Sequence, residues 1–251
     1  MIKVLTVFAL MFSLLSCADA TVKEYKLEIV AEYPHDTDSY TQGLFFDEGQ
    51  MYESTGMRGQ STFRKVDMAT GKPLRRLEFD KSYFVEGSVV WKDNLYILTW
   101  ESRMAFIYDA KTLALKDTRR YAREGWGLTT DGNELIASDG TDFLYFMDKN
   151  LKVKRKLQVK AGHRPVQWLN ELEYIDGKIW ANVYTTDEIM IINPRNGKVE
   201  GVIDCRGLLP QDLYTRHTDV LNGIACNPVD GKIYLTGKNW PKLYEIKIIE
   251  K

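Results

Sequence analysis

Apolar and polar residues fall along most of this chain in short runs broken by glycine, aspartate and asparagine, and one phrase recurs. Its plainest copy occupies 169–184: a strand-like run, an Asp176-Gly177 turn, then a second strand-like run ending on Tyr184. Runs of this length bounded by turn residues read as strand–turn–strand. Four other stretches follow the same grammar, at 41–56, 85–100, 125–140 and 221–238. With Gly43, Gly87, Gly127, Glu171 and Gly223 as equivalent positions, the steps are 44, 40, 44 and 52 residues. That period is the length of one four-stranded propeller blade.

Within each copy the turn falls on Asp47-Glu48-Gly49, Lys92-Asp93-Asn94, Asp131-Gly132-Asn133, Asp176-Gly177 or Asp230-Gly231, residue types that tolerate hairpin geometry. A third run follows in every copy, then a further turn and a polar outer strand, except that the last copy stops after its third strand. An extra strand at 25–33 precedes the first copy. Pairing it onto the last blade would close the ring and remove an exposed edge. The expected fold is therefore all-β: a five-bladed β-propeller over 21–251, closed by its N-terminal strand. No alternation of strands with long helical patterns supports a parallel α/β architecture.

Composition narrows the partners. Lysine and arginine (34) nearly balance aspartate and glutamate (35), so no global field favours nucleic acid or an anionic membrane. Residues 1–20 read as a targeting segment, with Lys3 before an apolar stretch too short to span a bilayer comfortably. Leu14-Leu15-Ser16-Cys17 resembles a lipobox, which makes Cys17 the expected lipidated N-terminus. An exported protein, periplasmic or at the cell surface and anchored through Cys17, is the expectation, with Ala18-Asp19-Ala20 as a competing cleavage site. Cys205 and Cys226 could pair after export or stay as free thiols. With 3 histidines, His35, His163 and His217, set far apart, a histidine-rich zinc site is not expected.

The copies differ where a ligand site would lie. The residue before the repeat position is Gln42, Glu86, Trp126, Asn170 or Asn222, and the second strand ends on Gly56, Trp100, Gly140, Tyr184 or Lys238. Amides, acids, indoles, a phenol and an ammonium at equivalent places describe a pocket better than a packing layer. Glu53 breaks the repeat most sharply, because its equivalents are Ile97, Ala137, Ala181 and Leu235. A carboxylate in such a slot implies a buried ion pair, with Arg58 or Arg64 as partner, or a functional acid with a tuned pKa.

Several stretches together resemble the plant and bacterial type of glutaminyl-peptide cyclotransferase: Tyr40-Thr41-Gln42-Gly43-Leu44, Tyr52-Glu53-Ser54-Thr55-Gly56, 126–132, Leu169-Asn170-Glu171-Leu172-Glu173-Tyr174, 220–225 and Thr236-Gly237-Lys238-Asn239-Trp240-Pro241. The resemblance implies a five-bladed propeller that turns an N-terminal glutamine into pyroglutamate and releases ammonia, without a metal or other cofactor. It implies Glu53 as the essential acid, with Lys238 and Asn170 beside it, and Gln42, Trp100 and Tyr184 as pocket residues. Tyr184 stands where tryptophan is expected, and Tyr40 where phenylalanine is common. Tyr40, Trp126 and Glu86 complete the expected substrate-binding set. The implied partners are peptides or proteins with N-terminal glutamine, met by a monomer. Two other readings stand beside it: a non-catalytic surface propeller for peptide or glycan, and a metal-dependent, lactonase-like hydrolase using Glu53, Glu86, Asn170 and Asn222.

Overall fold

The structure is a computed structural model and describes residues 22–251. Cys17 and the rest of the expected targeting segment lie outside the described residues. The chain is all-β. A long first strand, β1 (Lys23–Pro34), is followed by β2 (Thr41–Asp47), β3 (Gln50–Thr55), β4 (Thr62–Asp67) and β5 (Lys72–Glu78), which form a four-stranded antiparallel meander. A second meander comprises β6 (Val85–Trp91), β7 (Asn94–Thr99), β8 (Met104–Asp109) and β9 (Leu115–Arg120). A third comprises β10 (Leu128–Thr130), β11 (Leu135–Ala137), β12 (Phe143–Met147) and β13 (Val153–Gln158).

A two-stranded excursion, β14 (Lys160–Ala161) and β15 (Arg164–Pro165), leads to β16 (Leu169–Ile175), β17 (Lys178–Val183), β18 (Glu188–Ile192) and β19 (Val199–Asp204). A loop holding one 3-10 turn (Gln211–Leu213) then reaches β20 (Leu221–Cys226), β21 (Ile233–Gly237) and β22 (Lys242–Glu250). β1 joins these last two groups into one eight-stranded sheet. It runs antiparallel to β22 from Tyr25 to Pro34 and parallel to β19 over Lys23–Lys26. The first strand of the chain thus completes the last hairpin group, as the missing outer strand led one to expect.

Local chemistry explains the hairpins. Glu48-Gly49, Lys92-Asp93 and Asp176-Gly177 each have positive φ at both turn residues. Each is flanked by a closing pair, Asp47–Gln50, Trp91–Asn94 or Ile175–Lys178. This is the two-residue geometry whose twist matches antiparallel strands. The first strand of each meander is almost wholly buried, and the last alternates exposed and half-buried positions. Such a gradient means that the strands run from a crowded centre to a wet rim.

Five apolar clusters fill the space between neighbouring groups. Leu44, Phe46, Met51, Ala225, Tyr234 and Leu243 join the first meander to the last strands of the chain. Phe45, Phe63, Val85, Leu95 and Phe106 join the first meander to the second. The remaining three clusters continue the sequence around to β20–β22. The innermost strands β2, β6, β10, β16 and β20 touch in the same order and back to β2.

The repeat glycines sit at these inner contacts. A Cβ on Gly87 would stand 2.5 Å from the Trp126 carbonyl oxygen, and one on Gly127 would stand 2.0 Å from that of Asn170. Only a residue without a side chain lets the inner strands approach this closely. At the fourth position Glu171 breaks the rule in another way. Its carboxyl crosses the centre and accepts hydrogen bonds from the Leu44 amide (3.3 Å) and the Ile224 amide (2.9 Å). Cys205 and Cys226 are free thiols, and burial pushes both thiols up.

Candidate active site

Four of the five inner strands, β2, β6, β16 and β20, pair regularly with their neighbours except at one place each. The ladder shifts register between Thr41 and Gly43, Val85 and Ser88, Leu169 and Leu172, and Leu221 and Ile224. A bulge frees its residue from the ladder and re-aims the side chain. Gln42, Glu86, Asn170 and Asn222 all lie within these bulges, at one end of the ring of inner strands. The fold therefore spends four irregularities on placing four polar side chains.

Three of them, Gln42, Glu86 and Asn170, meet in a cavity of about 170 Å³, lined also by Tyr40, Phe84, Trp100, Trp126, Tyr184 and Lys238, while Asn222 braces Gln42 from outside the lining. Gln42, Glu86, Asn170 and Lys238 are buried, and the aromatic rings are partly open. Side-chain amides fix the floor. Asn222 Nδ2 donates to the Thr41 carbonyl at 2.9 Å and to Gln42 Oε1 at 3.3 Å, and Gln42 Nε2 donates to Glu86 Oε1 at 3.3 Å. Asn170 Oδ1 is buried without a hydrogen-bond partner among the described residues. An unsatisfied acceptor of this kind costs about 1–3 kcal/mol, and a bound N–H would recover it.

The walls are aromatic. Trp126 stands edge-on to Tyr184 (5.7 Å between ring centres, 87°) and Phe84 packs on Trp100 at 5.5 Å. Both indoles donate to one oxygen of Glu124, Trp100 at 2.9 Å and Trp126 at 3.4 Å, which holds their planes. Lys238 Nζ lies between two rings, 4.8 Å from the centre of Tyr40 and 5.0 Å from that of Tyr184. Among the described residues no carboxylate comes within ion-pair distance of it. Tyr40 is itself tied by its hydroxyl to Asp219 at 2.8 Å.

Electrostatics follow from this enclosure. Burial raises the Glu86 carboxyl well above the ordinary range, with the Glu124 charge adding to the rise and the Lys238 ammonium opposing it. Burial lowers the Lys238 ammonium, against the pull of Glu86 and Asp219. Each charge lacks water, and the two only partly compensate one another. Among the described residues no group of three or more His, Cys, Asp or Glu side chains is placed to hold a metal ion.

A buried carboxyl with its pKa raised, an ammonium cushioned on rings, a free amide oxygen and indole walls suit a small polar substrate whose own amide reacts. The sequence profile described as "Glutamine cyclotransferase" matches residues 3–248. The chain belongs to the glutamine cyclotransferase family. It is 42% identical over 240 residues to the glutaminyl-peptide cyclotransferase of Arabidopsis thaliana, across 93% of this chain and 74% of that protein. It is also similar to the crystal structure of Myxococcus xanthus glutaminyl cyclase, with a TM-score of 0.84 at 34% identity over 92% of this chain and 99% of that one.

For this cyclotransferase family member the structure brings together Gln42, Glu86, Asn170, Lys238, Tyr40, Trp100, Trp126 and Tyr184, all expected from sequence. It does not bring Glu53 with them, and that expectation needs correcting. Glu53 is buried behind the cavity wall. Its carboxylate accepts from Thr41 Oγ1 (2.7 Å), Ser39 Oγ (3.0 Å) and His35 Nε2 (3.0 Å). His35 Nδ1 faces the Trp240 carbonyl oxygen at 2.7 Å, so both ring nitrogens meet acceptors and both must carry protons. The result is an ion pair: the His35 charge holds Glu53 low, and Glu53 holds His35 high, each against burial. A carboxylate held ionised by three side-chain donors and absent from the cavity lining is not placed to meet a substrate there.

The candidate partners of Glu53 also resolve. Arg64 donates to Ser39 Oγ and to Asp36 in this network, whereas Arg58 pairs with Glu101 at the surface. Three site residues escaped the sequence reading: Phe84 in the wall, Glu124 behind the indoles and His35 beneath Glu53. Phe84 and Glu124 occupy one further ring position, two residues before the bulged one, which the repeat comparison could have included. His35 lies in an irregular segment outside the repeat and offered no such signal.

Proposed function

We propose that the protein is a glutaminyl-peptide cyclotransferase in which Glu86 moves the proton. The observation that carries this assignment is the position of Glu86: buried, raised by burial, held by Gln42 and open to the same cavity as Lys238 and Asn170. The substrate's α-amine attacks the Cδ of its own glutamine side chain, forming a C–N bond and a tetrahedral centre. Glu86 accepts a proton from that amine and returns it to the amide nitrogen, which leaves as ammonia when its C–N bond breaks. A carboxyl with a raised pKa is a stronger base than an ordinary one and can both take and return the proton.

The oxygen of the reacting amide gains negative charge at the tetrahedral stage. Lys238, unpaired and desolvated, stabilises that charge, and in a dry site such an interaction is worth far more than in water. Asn170 Oδ1 supplies the acceptor for a substrate N–H. Tyr184, Trp100 and Trp126 enclose the side chain and hold it folded against its own backbone nitrogen, replacing a large conformational entropy term. Tyr184 is smaller than the tryptophan expected there, and it reaches Trp126 edge-on while carrying Lys238 on its face.

We also read the architecture as a five-bladed β-propeller, which the cyclic contact of β2, β6, β10, β16 and β20 supports. The reaction is proposed to run without a metal, in a monomer exported and anchored through Cys17. Incubating the protein with a glutamine-initiated dipeptide should release one ammonia per pyroglutamyl product, at a rate unchanged by excess chelator. Binding without ammonia release would favour a non-catalytic propeller, and loss of turnover in chelator would favour a metal-dependent one.

A further inference from the structure

The cavity of about 170 Å³ is where the reading above places the N-terminal glutamine, and its aromatic walls are partly open to solvent. Everything after the first residue of a peptide substrate then lies on the rim. One large apolar residue waits there. Trp168 is 53% exposed, among few large hydrophobic side chains left in water. It stands two residues before Asn170, at the ring position that holds Tyr40 and Phe84 in two of the other copies, and both of those line the cavity.

What sends Trp168 outward is its backbone. Its φ is +64°, a left-handed conformation in which a bulky side chain is a genuine outlier. The conformation is braced on both sides. The Trp168 amide donates to the Gly140 carbonyl at 2.8 Å, and its carbonyl accepts from the Tyr184 amide at 2.9 Å. The second of these bonds is the one that Tyr40 makes with Gly56 and Phe84 makes with Trp100. The ladder is thus kept, and only the side chain is turned from wall to rim. Backbone strain of this kind clusters at ligand-binding positions, and here it is held at a half-exposed aromatic beside the cavity wall.

The ring is not isolated once it arrives. Its centre is 6.2 Å from that of Trp126, with 37° between planes, and Trp126 in turn meets Tyr184 inside the cavity. Tyr184, Trp126 and Trp168 form a continuous aromatic path from the reacting glutamine to solvent. We infer that Trp168 is the subsite for the side chain of the residue following the substrate's N-terminal glutamine, and that it selects apolar and aromatic residues there. The inference rests on the cyclotransferase reading above.

The test compares glutaminyl-phenylalanine amide with glutaminyl-glycine amide, following ammonia release by the wild-type protein, Trp168→Asn and Trp168→Phe. Asparagine tolerates the left-handed backbone, so it removes the indole without adding strain, and a thermal melt verifies folding. The wild type should prefer the phenylalanyl peptide by about three- to tenfold, the range expected of one aromatic contact. Trp168→Asn should erase that preference by raising KM for the phenylalanyl peptide, with kcat and the glycyl peptide unchanged. Trp168→Phe should restore most of it. A folded Trp168→Asn protein with the wild-type preference, or a wild type with none, overturns the subsite while leaving the activity standing. No turnover of either peptide overturns the activity, and the subsite with it.

Discussion

At the scale of single residues, the structure separates two buried glutamates: Glu86 lines the cavity and Glu53 does not. Glu53 was conspicuous because its equivalents in the repeat are apolar, and burial of a carboxylate does mark something unusual. Sequence comparison could not say what it faced, since its partner His35 lies outside the repeat. Glu86 was visible only as one of five varied ring residues. The difference between them is engagement: Glu53 accepts three side-chain hydrogen bonds, and Glu86 accepts one, from Gln42. The two substitutions should therefore separate cleanly. Glu86→Gln should fold at least as stably as the wild type and lose on the order of 10²–10⁴-fold in kcat. Glu53→Gln leaves the His35 imidazolium without its counter-charge and should cost about 3–5 kcal/mol in stability. Titrated urea unfolding together with ammonia release per folded molecule distinguishes them. Wild-type turnover by Glu86→Gln would remove it from the mechanism.

At the scale of elements, the hairpins and their repeat were legible because turn chemistry is local. Asp-Gly and its relatives announce positive φ wherever they fall. The bulges were not legible, because a register shift depends on the partner strand and leaves no composition of its own. Yet the bulges deliver Gln42, Glu86 and Asn170 to the cavity, and the repeat glycines make room for them. Gly127 is the tightest case, since an added Cβ would stand 2.0 Å from the carbonyl oxygen of Asn170, a backbone atom that cannot swing aside. Gly127→Ala should therefore push the Asn170 bulge outward, lowering stability by about 1–3 kcal/mol or more. Because Asn170 carries the unpaired acceptor, KM should rise in the same variant. A melting temperature and KM both equal to wild type would show that the bulge has slack.

At the scale of the whole molecule, the centre of the ring carries two acids that the reaction does not use, Glu171 and Glu173. Burial is the main cause of both shifts. It raises Glu171 well above the ordinary range and Glu173 to about 8, with the neighbouring Glu173 charge adding to the rise at Glu171. A carboxyl whose folded pKa lies above its unfolded value stabilises the fold fully below the unfolded pKa, near 4.5, and loses that contribution as pH rises toward the folded value. For Glu173, stability should thus decline between about pH 4.5 and 8, with a slope approaching about 1.4 kcal/mol per pH unit, and Glu171 adds a decline of the same sign.

Their hydrogen bonds predict opposite outcomes for amide substitution. Glu173 accepts from the Cys226 amide at 3.0 Å and from Thr129 Oγ1 at 3.4 Å. A glutamine there keeps the first bond through its oxygen, and the threonine hydroxyl can turn to accept from its NH₂. Glu173→Gln should therefore flatten the decline by about one proton and gain stability at pH 8. Glu171 instead accepts from two backbone amides, one on each oxygen. A glutamine there must set its NH₂ against an N–H that cannot turn, so Glu171→Gln should be less stable than wild type at pH 5, with the deficit narrowing as pH rises. Urea unfolding at pH 5, 6.5 and 8 measures all three curves, and a Glu173→Gln profile parallel to wild type would mean that Glu173 is already ionised in the folded ring.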